Sequence, residues 1–123
     1  MTVGPRSALA PRTLLLVAAG GAVGATVRCS VVTLAADDGR FPWWTLLVNV
    51  VGCLGLGALV RSGPAVRSAV GVGVCGGLTT FSTFSVEVAT LLDDGEATIA
   101  SSYLAASVVL GFGAFVAGRR VAT

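Results

Sequence analysis

Residues 71–87 read GVGVCGGLTTFSTFSVE, and this segment decides the fold that the sequence predicts. Apolar residues surround it, yet two adjacent glycines, Gly76 and Gly77, precede two threonines, Thr79 and Thr80, near its middle. Because glycine is a poor helix former, we expect a membrane-spanning helix to break here. A break frees backbone amides and carbonyls in lipid, where only protein, water or an ion satisfies them. Broken helices at membrane depth usually mark an ion or substrate site.

The composition argues against a water-soluble fold. Of 123 residues, 54% are hydrophobic and 11% are charged, and the mean hydropathy is +0.91. A helix needs about 20 apolar residues to cross a bilayer, so four spans fit and leave no room for a separate catalytic domain. We predict an all-α integral membrane protein, a single domain over residues 1–123 with four transmembrane helices, the third broken near mid-membrane. The expected spans cover residues 14–36, 43–60, 69–92 and 99–117.

The charges predict one orientation in the cell membrane. All eight basic residues are arginines, and the chain has no histidine. One end of the predicted bundle carries both termini and six arginines: Arg6, Arg12, Arg61, Arg67, Arg119 and Arg120. The other end carries one arginine and five acidic residues: Arg40, Asp37, Asp38, Asp93, Asp94 and Glu96. By the positive-inside rule both termini are expected to face the cytoplasm.

Small residues within the spans are interpreted as packing residues. Gly20 and Gly24 in the first span, like Gly73 and Gly77 in the third, have the four-residue spacing that lets two membrane helices approach closely. Three cysteines match no metal-binding or redox spacing and are interpreted as small buried hydrophobic residues: Cys29, Cys53 and Cys75.

A polar track with an aromatic edge is expected after the break. Helical periodicity of about 100° per residue aligns its members on one face: Thr80, Thr83, Glu87 and Thr90, bordered by Phe81 and Phe84. Hydroxyl groups donate hydrogen bonds, and the edge of an aromatic ring is electropositive. A small anion could therefore move along this track without meeting a formal positive charge that would hold it.

Other polar residues within the spans have two interpretations each. The amide of Asn49 is costly in lipid unless it faces a partner or a pore, where it could donate to an anion. Tyr103 and Ser107 lie one turn apart and share a helix face, which suits either a pore or contacts between helices. Arg28 and Glu87 are the ionisable residues within the spans; they form a mutual or intersubunit salt bridge, or they serve gating or ion attraction.

Three stretches together carry a family resemblance. Residues 20–28 read GGAVGATVR, residues 45–52 read TLLVNVVG, and residues 76–87 read GGLTTFSTFSVE. They match the patterns Gly-Gly-x-x-Gly-Ala-x-x-Arg, Thr-Leu-x-Val-Asn-x-x-Gly and Gly-Gly-x-Thr-Thr-Phe-Ser-Thr-Phe-Ser-x-Glu. In these motifs, in length and in number of spans, the chain resembles the CrcB or Fluc family of fluoride channels.

The resemblance implies a function and a set of site residues. It implies an antiparallel dimer with two narrow fluoride pores and a central structural sodium ion, which the backbone carbonyls of Gly76 and Thr79 would help to hold. Further residues would line the fluoride path: Asn49, Phe81, Ser82, Thr83, Phe84, Tyr103 and Ser107. Glu87 matches the family's acidic position. The implied function is passive export of fluoride from the cytoplasm, which lowers fluoride toxicity, with fluoride, sodium and lipid as partners and no nucleic acid.

The charge bias departs from the family pattern. A subunit that pairs with itself in antiparallel fashion must insert both ways, which requires nearly balanced basic residues on the two sides. Six arginines against one favour a heterodimer with an oppositely oriented homologue. A homodimer remains an alternative.

Two other classes of membrane protein are alternatives to a channel. A small drug/cation antiporter would need a carboxylate in its first span, where this chain has only Arg28 as an ionisable residue. A non-conducting accessory subunit would explain the glycines and the hydropathy without a broken third span. An enzyme is disfavoured, because without histidine or lysine no nucleophile has a base beside it.

Overall fold

The computed structural model describes residues 10–35 and 39–122, which form only helices and their connections. The protein is an all-α membrane protein, as the sequence predicts. We label the helices in chain order: α1 is Pro11–Leu34, α2 is Trp43–Leu59, α3 is residues 64–78, α4 is Phe81–Asp93, and α5 is Ala97–Val121. Helices α3 and α4 are the two halves of the third span.

The four expected spans correspond to these helices, with boundaries that differ by a few residues. Residue 36, the expected end of the first span, lies outside the described residues. Three stretches are long and apolar enough to cross a membrane: Pro11–Leu34, Pro64–Asp93 and Ala97–Val121. Helix α2 is apolar but has only 17 residues. The third span is longer than expected because it begins at a proline, which suits the first turn of a helix.

The break in the third span falls on the threonines. Helix α3 joins α-helical Pro64–Val66, π-helical Arg67–Cys75 and α-helical Gly76–Leu78 without interruption. Thr79 and Thr80 are extended, with φ −78° and ψ 149° for the first and φ −144° and ψ 125° for the second. The predicted broken helix is confirmed, but both glycines stay helical. Thr80 is suited to begin a new helix, since a threonine side chain caps the first turn.

Glycines bring α1 and α3 into backbone contact. A Cβ at Gly20 would collide with the carbonyl oxygen of Ala69, and a Cβ at Gly77 would collide with that of Gly21. A Cβ at Gly73 would lie 2.9 Å from the Cα of Gly20. The packing role predicted for these glycines is confirmed, and it includes Gly77, which the sequence also associates with the break. Van der Waals contact at such short range is the main source of helix association in lipid.

Helices α2 and α5 form a second close pair. A Cβ at Gly57 would collide with the carbonyl oxygen of Phe115, and a Cβ at Gly118 would collide with that of Leu54. Helix α2 also packs on α3, so it connects the two pairs, and α4 packs mainly on α5. The buried apolar cluster between α2, α4 and α5 consists of Leu46, Leu91, Ala100 and Tyr103.

The two connections at the acidic end meet through one ion pair. The Arg40 guanidinium binds the Glu96 carboxylate, joining the segment before α2 to the residue before α5. The expectation that these connections share one end of the bundle is therefore confirmed for the described residues. Arg6, Asp37 and Asp38, which enter the same charge argument, lie outside the described residues.

The three cysteines differ in burial, and one of them is not buried as predicted. Cys75 is buried and Cys53 is half-buried, but Cys29 is exposed. The prediction of a buried Cys29 is wrong because α1 turns only one face toward α3. The two buried residues of that face are Gly20 and Gly24.

We predict that Gly24→Ala destabilises the fold and that Gly113→Ala does not. The new methyl group at residue 24 would collide with the carbonyl of Val74 and lie 2.8 Å from the amide nitrogen of Leu78, whereas at residue 113 it would meet nothing within 4 Å. Overpacking of this kind costs about 1–3 kcal/mol. Unfolding of the purified variants by dodecyl sulfate in mixed micelles measures the difference. Equal midpoints for the two variants would contradict the proposed α1–α3 contact.

Candidate functional site

The break in the third span is held by the side chain of Asn49. Its Nδ2 donates to the carbonyl oxygen of Thr80 at 3.2 Å, and its Oδ1 accepts from the backbone amide of Thr80 at 2.7 Å. One amide side chain thus replaces both hydrogen bonds that the helix gives up at this residue. Asn49 belongs to α2, so the break is fixed by a neighbouring helix and is not a free hinge.

The hydroxyl groups after the break form a local network. Thr80 caps α4, because its Oγ1 accepts from the amide of Thr83 at 3.2 Å. The same oxygen donates to the Thr83 hydroxyl at 3.1 Å and lies 3.2 Å from the Ser82 hydroxyl. Thr80 is buried, whereas Ser82 is exposed. The start of the expected polar track is therefore a connected set of donors.

Carbonyl oxygens at the end of α3 also have side-chain partners. Thr79 Oγ1 donates to the Gly76 carbonyl at 3.2 Å. The Arg28 guanidinium donates to the Thr79 carbonyl at 3.4 Å, a long contact from α1. Each carbonyl oxygen has two lone pairs, so one acceptor position remains on each. These are the two carbonyls that the family resemblance implies as ligands of a sodium ion.

An open cleft of about 350 Å³ brings most predicted site residues together. Its wall includes both the break and the pore candidates: Asn49, Gly76, Thr79, Thr80, Phe81, Phe84 and Ser107. The hydroxyl oxygen of Ser107 is buried there and has no hydrogen-bond partner among the described residues. A buried hydroxyl without a partner is uncommon in proteins and requires a water or a ligand.

A row of aromatic rings runs from this cleft toward the acidic end. The ring centroids of Phe81 and Phe84 are 5.9 Å apart, and those of Phe84 and Tyr103 are 5.1 Å apart. Tyr103 meets Phe41 edge to face at 5.4 Å. The side chain of Phe81 is 80% exposed, so the row begins at the surface of this chain and ends in its core.

Glu87 lies at the buried end of the row. Its two carboxyl oxygens accept from Thr45 Oγ1 at 2.6 Å and from the Tyr103 hydroxyl at 2.7 Å. Thr45 is 1% exposed and Tyr103 is fully buried, so both donors are committed to Glu87. The mutual salt bridge between Arg28 and Glu87 is wrong for a single chain. Arg28 instead binds the break, and an intersubunit salt bridge stays a prediction.

A second cavity opens from Glu87 to the acidic end of the bundle. It has a volume of about 450 Å³, and its wall combines one cation with several acidic and polar groups: Arg40, Glu87, Thr90, Asp94 and Glu96. Thr90 donates to the carbonyl of Val86 in its own helix. Glu87 and Thr90 of the expected polar track therefore border this cavity and Thr80 borders the cleft, whereas Thr83 lines neither.

The structure adds two residues that the sequence did not single out. Thr45 is the second donor to Glu87, and Phe41 extends the aromatic row. Thr45 is the first residue of the motif TLLVNVVG, and this position was the signal in the sequence that could have identified it. A motif within one span does not show that Thr45 contacts Glu87 in another span. Phe41 lies outside the helices and carries no periodic signal.

Comparisons with known proteins agree on one family. The profile described as "CrcB-like protein, Camphor Resistance (CrcB)" matches residues 15–119. The chain is 43% identical to "Fluoride-specific ion channel FluC 1" from Nitrobacter hamburgensis over 120 residues, which is 88% of this chain and 93% of that protein. It is 46% identical to "Fluoride-specific ion channel FluC" from Sphingopyxis alaskensis over 105 residues, 78% of this chain and 83% of that one. It is 44% identical to a FluC 1 protein from Thermobifida fusca over 110 residues, 86% and 92% of the two chains.

We predict that Tyr103→Phe lowers stability and Ser101→Ala does not. The first change leaves a carboxyl oxygen of the half-buried Glu87 without its donor, and such a loss costs about 1.5–3 kcal/mol when the acceptor is charged. The Ser101 hydroxyl is exposed and donates only to the Ala97 carbonyl of its own helix. Unfolding midpoints in detergent compare the two variants. A Tyr103→Phe protein as stable as the Ser101→Ala protein would contradict the buried cluster.

Proposed function

Because this chain belongs to the CrcB-like family, we propose that it is a fluoride-specific ion channel which exports fluoride passively from the cytoplasm. It is a multi-pass membrane protein and an ion channel, not an enzyme. Passive movement needs a narrow path whose sites attract the ion and release it again. The arrangement around the break has the chemistry for such a path.

The observation that carries this proposal is the unpartnered hydroxyl of Ser107 in the cleft. It stands beside Asn49, Thr80 and Phe84, which line the same wall. An anion in the cleft would give Ser107 its missing acceptor and would meet the electropositive edge of an aromatic ring. Asn49 uses one of its two amide hydrogens on Thr80, so its second hydrogen remains for the ion.

Fluoride suits this cleft because it is small and accepts strong hydrogen bonds. None of the described arginines lines the wall of the cleft. A formal positive charge would bind fluoride tightly and slow its release, whereas hydroxyl and ring-edge contacts are individually weak. From the cleft the ion would follow the ring edges of Phe81 and Phe84 and the hydroxyls of Ser82 and Thr83. The cavity beside Glu87 would be the other end of the path.

Gly76 and Thr79 fit a sodium ion as one half of a site. Sodium is a hard cation that prefers oxygen ligands, and both carbonyls retain an acceptor position at the end of a helix, where the dipole is negative. Two carbonyls are too few to replace the hydration of the ion, so an equivalent pair must come from a second subunit. The bound ion would neutralise the carbonyl ends of the broken helices. Arg28 shares the Thr79 carbonyl and adds a positive charge nearby.

A second subunit would also cover Phe81. This ring borders the cleft, yet it is 80% exposed in the single chain. A pore wall that is open on one side leaks water and other ions, so the cleft needs a partner to close it. We take the partner to be antiparallel, as the family resemblance implies, with both termini of this chain in the cytoplasm. The charge bias favours a homologue of opposite orientation over a second copy.

The two alternative classes fit the structure less well. Helix α1 contains no carboxylate for a drug/cation antiporter. A non-conducting accessory subunit has no use for an unpartnered hydroxyl inside a cleft, although it would share the bundle. Flux through variants of the aromatic row separates that alternative from a channel.

We predict that Phe81→Leu or Phe84→Leu lowers fluoride flux about tenfold, since one ring-edge contact contributes about 0.5–1.5 kcal/mol and about 1.4 kcal/mol changes a rate tenfold. Phe112→Leu is the matched control, because Phe112 is 71% exposed and does not line the cleft. Efflux from liposomes, followed with a fluoride electrode, measures the rates. Unchanged flux in both variants of the row would favour another path or an accessory subunit.

We predict that this chain, expressed alone, inserts with both termini in the cytoplasm and gives little fluoride efflux in liposomes. Co-expression with an oppositely oriented homologue should restore the efflux. Labelling of a cysteine added at either terminus, from each side of the membrane, reports the orientation. An even split between the two sides, with efflux from the chain alone, would establish a homodimer and refute the heterodimer.

A further inference from the structure

A basic cavity lies outside the cleft, at the arginine end of the α2–α5 pair. Arg61, Arg119 and Arg120 line a cavity of about 350 Å³ together with Val116. Arg61 follows the end of α2, and the other two arginines stand in the last turn of α5. Two helix carbonyl ends and three guanidinium groups therefore meet at the boundary between the apolar helices and the polar region.

These arginines have no partner in the described part of the chain. None of their three guanidinium groups forms an ion pair or a hydrogen bond there. The acidic residues that the structure describes are Glu87, Asp93, Asp94 and Glu96, which lie in α4 or in the connection to α5, at the opposite end. None of these four carboxylates can therefore neutralise the three arginines, which leaves them available to an anion from outside.

The backbone that carries the arginines is held in place. A Cβ at Gly57 would collide with the Phe115 carbonyl and lie 3.1 Å from the amide nitrogen of Arg119. A Cβ at Gly118 would lie 2.8 Å from the amide nitrogen of Ala58. The ends of α2 and α5 are thus fixed against each other directly beside the cavity. A site with a fixed frame loses less entropy when a ligand binds.

We propose that this cavity binds the phosphate of an anionic phospholipid. A guanidinium group matches two phosphate oxygens at once, and basic pockets at the ends of transmembrane helices bind acidic headgroups. The apolar residue in its wall, Val116, favours a lipid over a soluble anion. Val116 borders the cavity, and Phe112, one turn deeper on the same face of α5, is exposed and available to an acyl chain. The bound lipid would clamp the ends of α2 and α5.

The test compares two charge-matched double variants. Arg61→Gln with Arg120→Gln removes two cations from the cavity, and Arg12→Gln with Arg67→Gln removes two from the same end of the bundle outside it. All four arginines are exposed, so the folds should persist, which gel filtration checks. Phosphatidylglycerol, phosphatidylcholine and inorganic phosphate are each added to protein in a neutral detergent. Native mass spectrometry counts bound lipids, and thermal unfolding measures stabilisation.

We expect phosphatidylglycerol to bind and to raise the unfolding midpoint of the native chain more than phosphatidylcholine does. The cavity variant should lose about tenfold more affinity than the control variant, because the control loses only the general attraction of a basic surface. Equal losses in the two variants would overturn the proposal, as would equal effects of the two lipids. Stabilisation by inorganic phosphate of the same size would show a site for phosphate and not for lipid. None of these readouts depends on fluoride conduction.

Discussion

The structure depends on one constraint: backbone groups released inside a membrane must find partners. Thr80 leaves the helix, and Asn49 supplies an acceptor for its amide and a donor for its carbonyl. Each unsatisfied group would otherwise cost several kcal/mol in lipid. The break, the cleft beside it and the start of α4 lie at this place because a side chain of α2 satisfies the backbone groups of Thr80.

The glycine contacts follow from the same constraint. Asn49 reaches Thr80 only if α2 lies close to the end of α3, and a Cβ at Gly52 would lie 3.2 Å from the Cys75 carbonyl. The α1–α3 and α2–α5 pairs hold α3 and α2 in that register. Close backbone packing therefore positions the polar groups of the cleft as well as supplying the energy of association.

The sequence predicted the fold better than the contacts between distant residues. Spans, the broken helix and the glycine faces follow from hydropathy and spacing, which are local properties. The bidentate role of Asn49 and the partners of Glu87 do not, because each joins residues far apart in the chain: Thr45 and Glu87 are separated by 42 positions. The family resemblance implies that Asn49 donates to the ion in the pore. In the structure one of its two amide hydrogens is committed to the backbone, and only the other is left for an ion.

The uneven distribution of arginines between the two ends of the bundle bears on how two subunits can pair. In an antiparallel pair of identical chains, each membrane surface would carry one arginine end and one acidic end, although the positive-inside rule favours all arginine ends on one side. Within the described residues the arginine end has no carboxylate to balance its charge, since Glu87, Asp93, Asp94 and Glu96 all lie in α4 or in the connection to α5. The proposed homologue, with its arginines at the other end, would remove the conflict, because each subunit would then insert by its own bias and antiparallel pairing would result. The bias that opposes self-pairing would in that case also set the orientation of the proposed partner.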